Sequence, residues 1–421
     1  MAYRESYKTL IGLKFPLPSG LLIAFRNLAR NKVRSLVSLS AIAFGVIALL
    51  LAGGFIEWVY WAMREAAIQT GLGHVQISRP GFRAAGFADP NAYLLPGDAP
   101  ELKTILSAPG ARVLDQRLIL NGLASNGENT VAFTGEAVDP DADRLISKVL
   151  GVVGEPLSST DPTGVVLGRG LAAALGVRRG DLVSFVVTLP GGGINAVEGH
   201  LLGTFAIGVK AFDDSAVRMP LALGRQLLRV RGAQVWVLGL DATEHTPEAM
   251  GYLRAQLPAS RFELASWLDL SDFYRKAVVL LSRQIDVVAL LIGVIIVLGI
   301  SNTLTMNVLE RTGEIGTLMA LGTPRGGILR LFVLEGLLLG LVGGVAGLAI
   351  GFALAELLSW IGIPMPPPPG RTTGYSAQII LTWYLTIGAF LVALVSTTLA
   401  SLYPAWKASR LPVVDALRQN R

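Results

Sequence analysis

The chain has 421 residues, of which 52% are hydrophobic and only 16% charged, against roughly 25% charged in an ordinary soluble domain. That balance excludes a single water-soluble globule and points to a membrane protein. The formal charge of +6 sits mainly on basic residues beside apolar runs, where acidic lipid headgroups account for it and nucleic-acid binding is not called for. No cysteine is present, so redox compartment is left open.

Pro16 and Pro18 break the N-terminus, and "SGLLIAFRNLARNKVRS" follows. Leu21, Leu22, Phe25 and Leu28 recur there at helical spacing, with Arg26, Arg30 and Lys32 able to reach headgroups. Residues 1–35 therefore read as a cytoplasmic N-terminus with an amphipathic interfacial helix, the alternative being a simple extension of the first span. A helix needs about 20 apolar residues to cross the hydrocarbon core. Uncharged runs of that order occur at 36–56, 287–309, 336–355 and within 372–406. They predict spans at 36–62, 276–309, 331–358 and 377–406. A cleaved signal peptide is the competing reading of the first. Its run is longer than a signal core, however, and no clear small-x-small site precedes Glu57.

Between the first two spans, residues 63–275 have ordinary polar content, frequent Gly and Pro, and β-like runs. "GHVQIS" is strand-like, and "PELKTILSAPG" is a short helix stopped by Pro-Gly. Residues 112–123 and 130–138 form a strand pair joined through "NGEN". A block at about 143–225 reads as a β-rich subdomain: a helix over 170–175 ends at Gly176, and strands over 182–189 and 196–205 flank "PGGG". A strand (234–240), a helix (247–257) and a strand (262–265) lead back to the membrane. The fold class is thus four transmembrane helices with a large α+β extracytoplasmic domain between the first and second.

Residues 310–330 connect the second and third spans. Glu310, Arg311 and Glu314 form a charged cluster, while Ile315, Leu318 and Met319 share another helical face. Gly322 ends this helix, Thr323 is placed to cap the next, and Pro324 sits in its first turn. The apolar stripe either docks on a partner or lies on the membrane; pattern alone leaves both open. In the third span Gly336, Gly340, Gly344, Gly347 and Gly351 form a small-residue ridge for close helix packing. The outer loop, 359–376, holds "MPPPPG", which reads as a rigid polyproline cap. Residues 407–421 are a basic tail.

Basic residues crowd three places: Arg26, Arg30, Lys32 and Arg34 before the first span; Arg311, Arg325 and Arg330 in the connector; Lys407, Arg410, Arg418 and Arg421 in the tail. The loop between the third and fourth spans offers only Arg371. The positive-inside rule then makes both termini and the connector cytoplasmic and the large insert external.

Catalytic signatures are missing. No phosphate loop of the G-x-x-x-x-G-K-[ST] type occurs, and His74, His200 and His245 are scattered without metal-ligand spacing. No G-x-S-x-G elbow appears, and the span acids Glu57, Glu335 and Glu356 lie near span ends, which argues against an ion pathway. The chain reads as non-catalytic and metal-free.

"ERTGEIGTLMALGTPRGGILRLFVLEGLLLGLVGGVAG" resembles the connector of the MacB/FtsX-like permeases of ATP-binding-cassette systems. "FRNLARNKVRS", "LGRGLAAALGVRRGDLV" and "YPAWKASRLPVVDALR" agree with it, so the likeness covers nearly the whole chain. It implies a type VII permease fold and makes the connector a coupling helix that docks into a separate cytoplasmic ATPase, with Glu310, Arg311, Glu314, Ile315, Leu318, Leu321 and Gly322 the docking candidates. No nucleotide-binding domain is expected within these residues, so ATP and Mg would be bound by the partner. Two ATPase copies and a second permease copy, identical or not, are implied partners, with work transmitted through the spans to the outer domain.

Within the family, "GHVQIS", the length and the separate ATPase look most like the lipoprotein-releasing Lol permeases of the bacterial inner membrane. That likeness implies a lipid or lipoprotein cargo taken from a cleft between the first two spans, for which Phe55, Val59, Met63, Val279 and Ile285 are candidates, and a periplasmic carrier or adaptor. A MacB-like drug or peptide efflux permease and an FtsX-like regulator of cell-wall hydrolases are the alternatives.

Overall fold

A computed structural model describes residues 32–86, 90–147, 151–189, 192–207, 209–365 and 375–412. The predicted interfacial helix before Lys32, the run of four prolines, Arg371 and the tail beyond 412 lie outside the described residues.

Among the described residues, four helices are long and apolar enough to cross a membrane. They are α1 (Lys32–Ala67), α7 (Asp272–Glu310), α9 (Arg325–Ile361) and α10 (Trp383–Ser409), where α2–α6 belong to the insert and α8 (Thr312–Ala320) to the connector. The first three are longer than the uncharged runs predict, because the amphipathic flanks on either side continue the same helix. At 1.5 Å per residue the 36 residues of α1 make about 54 Å, well beyond the roughly 30 Å of hydrocarbon.

Residues 32–59, 279–363 and 377–412 belong to one compact unit. Its core joins Ile42, Val46, Leu49 and Leu50 of α1 to Ile296, Ile300 and Leu304 of α7, Leu339 of α9, and Ala389, Ala393 and Ala400 of α10. The glycine ridge on α9 divides into two faces. Added Cβ atoms on Gly336, Gly340 and Gly344 would meet Ser401, Thr397 and Phe390 of α10, at 2.1 Å for Gly340 against Thr397 Oγ1. Those on Gly347 and Gly351, with Gly343, which the ridge pattern did not include, would meet Val46, Leu50 and Ile42 of α1. The small residues thus let α9 lie against two neighbours at once.

The other unit holds the insert, Tyr60–Val278. Its strands are β1 (Val75–Ser78), β2 (Ala111–Ser125), β3 (Thr130–Val138), β4 (Gly151–Gly154), β5 (Gly164–Gly168), β6 (Leu182–Thr188), β7 (Ile194–Ala206), β8 (Ala216–Pro220), β9 (Val235–Leu240) and β10 (Glu263–Ser266). The helices are α2 (Glu101–Leu106), α3 (Pro140–Ile146), α4 (Arg169–Leu175), α5 (Leu221–Leu228) and α6 (Thr246–Gln256). One sheet runs β10-β1-β9-β2-β3-β8-β5-β7-β4, and β6 pairs with both β7 and β2.

That last pairing closes β2-β3-β8-β5-β7-β6 into a barrel. Alternating residues fill it: Leu118 and Leu120, Phe133 and Ala137, Val183, Phe185 and Val187, Val217 and Met219, with Leu171 and Leu175 of α4 and Leu223 and Leu227 of α5. The open half, β10-β1-β9-β2, carries a separate core of Val75, Ile77, Trp236, Leu238, Ala249, Leu253 and Phe262 under α2 and α6. The β-rich part is larger than the block 143–225 predicts, because β2 is long enough to serve both halves. Ala111–Arg117 pair with β9 and Leu118–Ser125 with β3.

Candidate functional site

Among the described residues, two constellations concentrate polar side chains. The first lies in the membrane unit where α7 ends. Its helix stops at Glu310, Arg311 leaves helical geometry (φ −105°, ψ 14°), and α8 starts at Thr312. Arg34 of α1 grips the end of α7 by donating from Nη1 and Nη2 to Glu310 at 2.6 and 2.8 Å, and from Nη1 to Asn307 Oδ1 at 2.9 Å. Arg311 Nε donates to Glu314 at 2.9 Å, and its Nη1 lies 3.9 Å from the buried Glu335 of α9. Beneath this polar layer Ile315 packs with Val308, Ile328, Phe332, Ala405 and Ala408.

The helix ends as Gly322 predicts, and for a stated reason. Gly322 has φ +95°, and its N–H and that of Thr323 donate to the carbonyls of Met319 and Leu318, the pair of hydrogen bonds that closes a helix at a left-handed residue. Thr323 does not cap the next helix. Pro324 is itself the N-cap of α9, with extended backbone and no side-chain cap.

The seven predicted docking residues therefore separate by role. Ile315 is buried and belongs to the core, Glu310 is the anchor for Arg34, and Arg311 is the pivot between α7 and α8. Glu314, Leu318, Leu321 and Gly322 lie on the exposed side, Leu321 at 80%. Thr317 shares that side; sequence reasoning passed it over because it is neither charged nor apolar.

The five predicted cleft residues do not line the apolar groove of the membrane unit. Phe55, Val59 and Ile285 are half-buried and Val279 is exposed; Met63, half-buried, falls in the other unit. The groove, about 490 Å³, runs between α7 and α10 and is lined by Leu290, Val294, Leu298, Leu391, Val395 and Leu399 among others. It escaped prediction because no single-helix pattern reveals which two spans leave a furrow.

The second constellation lies in the insert, where β2 passes from open sheet to barrel. Arg117 is 3% exposed and donates to Asp115 (2.6 Å), Glu136 (3.2 Å) and Asp143 (3.2 Å). Arg218 of β8 also bonds Asp143, and donates to Glu136 (3.1 Å) and Ser147 (2.9 Å). Both guanidinium groups reach past these carboxylates to the chain that continues α1. Arg117 Nη1 donates to the carbonyl of Gly71 at 2.6 Å and Arg218 Nη2 to that of Thr70 at 3.5 Å. Gly71 has φ +135°, and a Cβ there would stand 3.0 Å from Arg218 and 3.1 Å from Arg117. Only glycine lets both arginines close on this turn.

Burial pushes the Asp115 carboxyl up to about 6, against the opposing pull of Arg117. Burial also works on Asp143, but Arg218 and Arg117 outweigh it and hold that carboxyl below the usual range. For Arg117, burial is overcome by the three carboxylates, so its guanidinium stays charged. No sequence motif marks this cluster. The available clue was a lone Arg218 inside the otherwise apolar "AVRMP".

Comparison with known proteins matches residues 35–256 to the MacB-like periplasmic core domain and residues 287–413 to the FtsX-like permease C-terminal domain. Four spanning helices with this domain between the first two define an ABC transporter permease of type VII architecture. The chain belongs to the MacB/FtsX-like permease family. Over 416 residues it is 23% identical to an uncharacterized ABC transporter permease of Methanocaldococcus jannaschii, covering 94% of this chain and 96% of the relative. It is 24% identical to the lipoprotein-releasing system transmembrane protein LolC of Xylella fastidiosa over 410 residues, 91% of this chain and 93% of that one. It is 28% identical to the macrolide export ATP-binding/permease protein MacB of Hyphomonas neptunium over 412 residues, 94% of this chain but 60% of that protein's length.

Proposed function

We propose that this chain is the permease subunit through which a separate ATPase drives work outside a bacterial inner membrane, with both termini cytoplasmic. ATP and Mg are bound by that partner, present in two copies beside a second permease copy. The observation that carries the reading is the split of the connector into a buried face and an open one. Ile315 anchors α8 in the helix core while Glu314, Thr317, Leu318 and Leu321 face away from it, so force applied to α8 passes into α7 and α9 as into a rigid body. An exposed pair such as Leu318 and Leu321 is unfavourable in water unless a partner covers it.

The helix α1 supports the same reading by covalent continuity. It is gripped at Arg34 by Glu310, and its continuation at Thr70 and Gly71 is gripped by Arg218 and Arg117. A displacement of the connector is thus delivered to the barrel strands through helix backbone.

The work itself is extraction or release of lipoproteins or lipids. The groove between α7 and α10 offers acyl chains an almost wholly apolar bed, and the likeness to LolC runs through both units. Efflux of drugs or peptides, as the MacB relative's name describes, and regulation of cell-wall hydrolases remain the competing readings. Mass spectrometry of the complex purified in nanodiscs decides: acylated protein or lipid enriched over bulk bilayer supports release, and its absence refutes it. For coupling, Leu321→Asp is expected to abolish copurification of the ATPase without lowering the permease's melting temperature; an intact stoichiometric complex would refute the docking face.

A further inference from the structure

The insert also carries a group of cations that its own carboxylates do not neutralise. Arg225 and Arg229 stand at the end of α5, Arg231 follows, and with Asn195, Ala196, Gln226 and Val230 they line an open groove of about 530 Å³. No acidic residue lines it, and among the described residues none of the three arginines forms an ion pair.

Two of the three arginines are nevertheless held in place. Arg225 donates from Nε to the carbonyl of Gly232 at 3.1 Å and from Nη2 to Gln116 Oε1 at 2.8 Å. Asn195 donates from Nδ2 to the last carbonyls of α5, Gln226 (3.0 Å) and Leu227 (2.8 Å), and accepts on Oδ1 from Arg229 at 3.3 Å. Every acceptor here is neutral, so orientation is supplied and charge is not cancelled. Burial lowers the pKa of Arg225 with no carboxylate opposing it.

Arg229 adds a second, independent observation. It is the non-glycine residue with positive φ among the described residues, at +55°, in the left-handed position that closes α5. Glycine is the relaxed choice at such a site. A bulky residue held there in strain points to a use for its side chain. A favourable interaction with the α5 dipole needs one cation in the last turn, not three converging on a concavity.

We propose that this groove is a docking surface for an acidic polypeptide segment of a partner protein, whose Asp or Glu side chains take the free guanidinium edges. The chemistry fits peptide better than a lipid surface for two reasons. The guanidinium groups of Arg225 and Arg229, oriented by neutral acceptors, can pair with carboxylates, and they line a groove that a polypeptide segment can enter. The strand bordering the groove also starts at Ile194, 74% exposed, which offers an apolar contact beside the charges. The surface is separate from the connector and from the groove between α7 and α10, so it stands whatever the cargo.

The test uses the full chain in zwitterionic nanodiscs and a short fluorescent peptide of Glu and Leu, with its Gln-for-Glu counterpart as control. Wild type is expected to prefer the Glu peptide at least ten-fold, with affinity falling as salt rises. Arg229→Gly relieves the backbone, so its melting temperature is expected to be unchanged or higher while peptide affinity drops three-fold or more. Arg231→Gln is expected to do the same without touching α5, and the double variant to lose the preference. Retention of wild-type affinity in the double variant would overturn the proposal. So would phosphatidylglycerol vesicles binding in an arginine-dependent way with no Glu-peptide preference, which would assign the groove to lipid. ATPase copurification is expected to be unaffected throughout, which separates failure here from failure of the coupling scheme.

Discussion

Replacing Arg117 by Met isolates the energetics of the clamp on the continuation of α1. The guanidinium is almost fully buried and has four partners: Asp115, Glu136, Asp143 and the carbonyl of Gly71. Met fills most of its volume, so the loss is electrostatic. Asp115, 0% exposed, keeps one donor, the backbone N–H of Asp139 at 2.9 Å, while Asp143 keeps Arg218 and Ser147. Breaking a buried pair by removing one partner costs about 3–5 kcal/mol. For a domain of this size that is a fall of roughly 6–20 °C in the melting temperature. Tryptophan fluorescence reads it well, since Trp236 is buried in the adjoining core. Adding Asp115→Leu removes the stranded carboxylate, and the double variant is expected to recover most of the loss, as apolar replacements of buried ion pairs do. If single and double variants melt together, or if Arg117→Met melts with wild type, the network is not what holds this junction.

Asp115 makes a pH prediction with a definite sign. Its folded value, about 6, lies above the ordinary carboxylate value, so its contribution is fully present below the unfolded pKa and is lost as pH rises through the folded one. Wild type is expected to lose ground to Asp115→Asn between about pH 4 and 6 and to hold a constant difference above; a flat difference across that window would count against the burial argument. Gly71→Val, which sets a side chain against both arginines at a positive φ, is expected to leave ATPase assembly intact and abolish transport in proteoliposomes, and normal transport would discard α1 as the link. Gly340→Ala drives a methyl into Thr397 and is expected to cost about 1–3 kcal/mol, read as a lower melting temperature in detergent. Gly322→Ala, forced to a positive φ of 95°, is expected to lose on the order of 1–2 kcal/mol and to weaken ATPase binding more than a surface Ala elsewhere on α8.

The spans were legible because a bilayer imposes length and polarity on each helix separately, so a run such as 287–309 identifies itself. Local punctuation was equally readable: Gly322 and Gly176 sit at positive φ where their helices end. Barrel closure was not, because it depends on β6 meeting β2 through Leu123 and Val186, residues far apart in the chain. The division of the docking candidates was hidden for the same reason. Ile315 and Leu318 look alike in sequence, and only Phe332 and Ala405, brought in from other helices, decide that Ile315 is core. The arginine clamp joins four separate segments, β2, β3, α3 and β8, and a pairing of that kind leaves no spacing to count.

The central claim is that α8 and the insert lie on opposite sides of one membrane. The chain has no cysteine, so single cysteines at Thr317, on the open side of α8, and at Ser159, exposed in the insert, report sidedness without background. A membrane-impermeant maleimide is predicted to label the Ser159→Cys site in intact spheroplasts and the Thr317→Cys site only in inverted vesicles. Labelling of both sites from the same face would contradict the account.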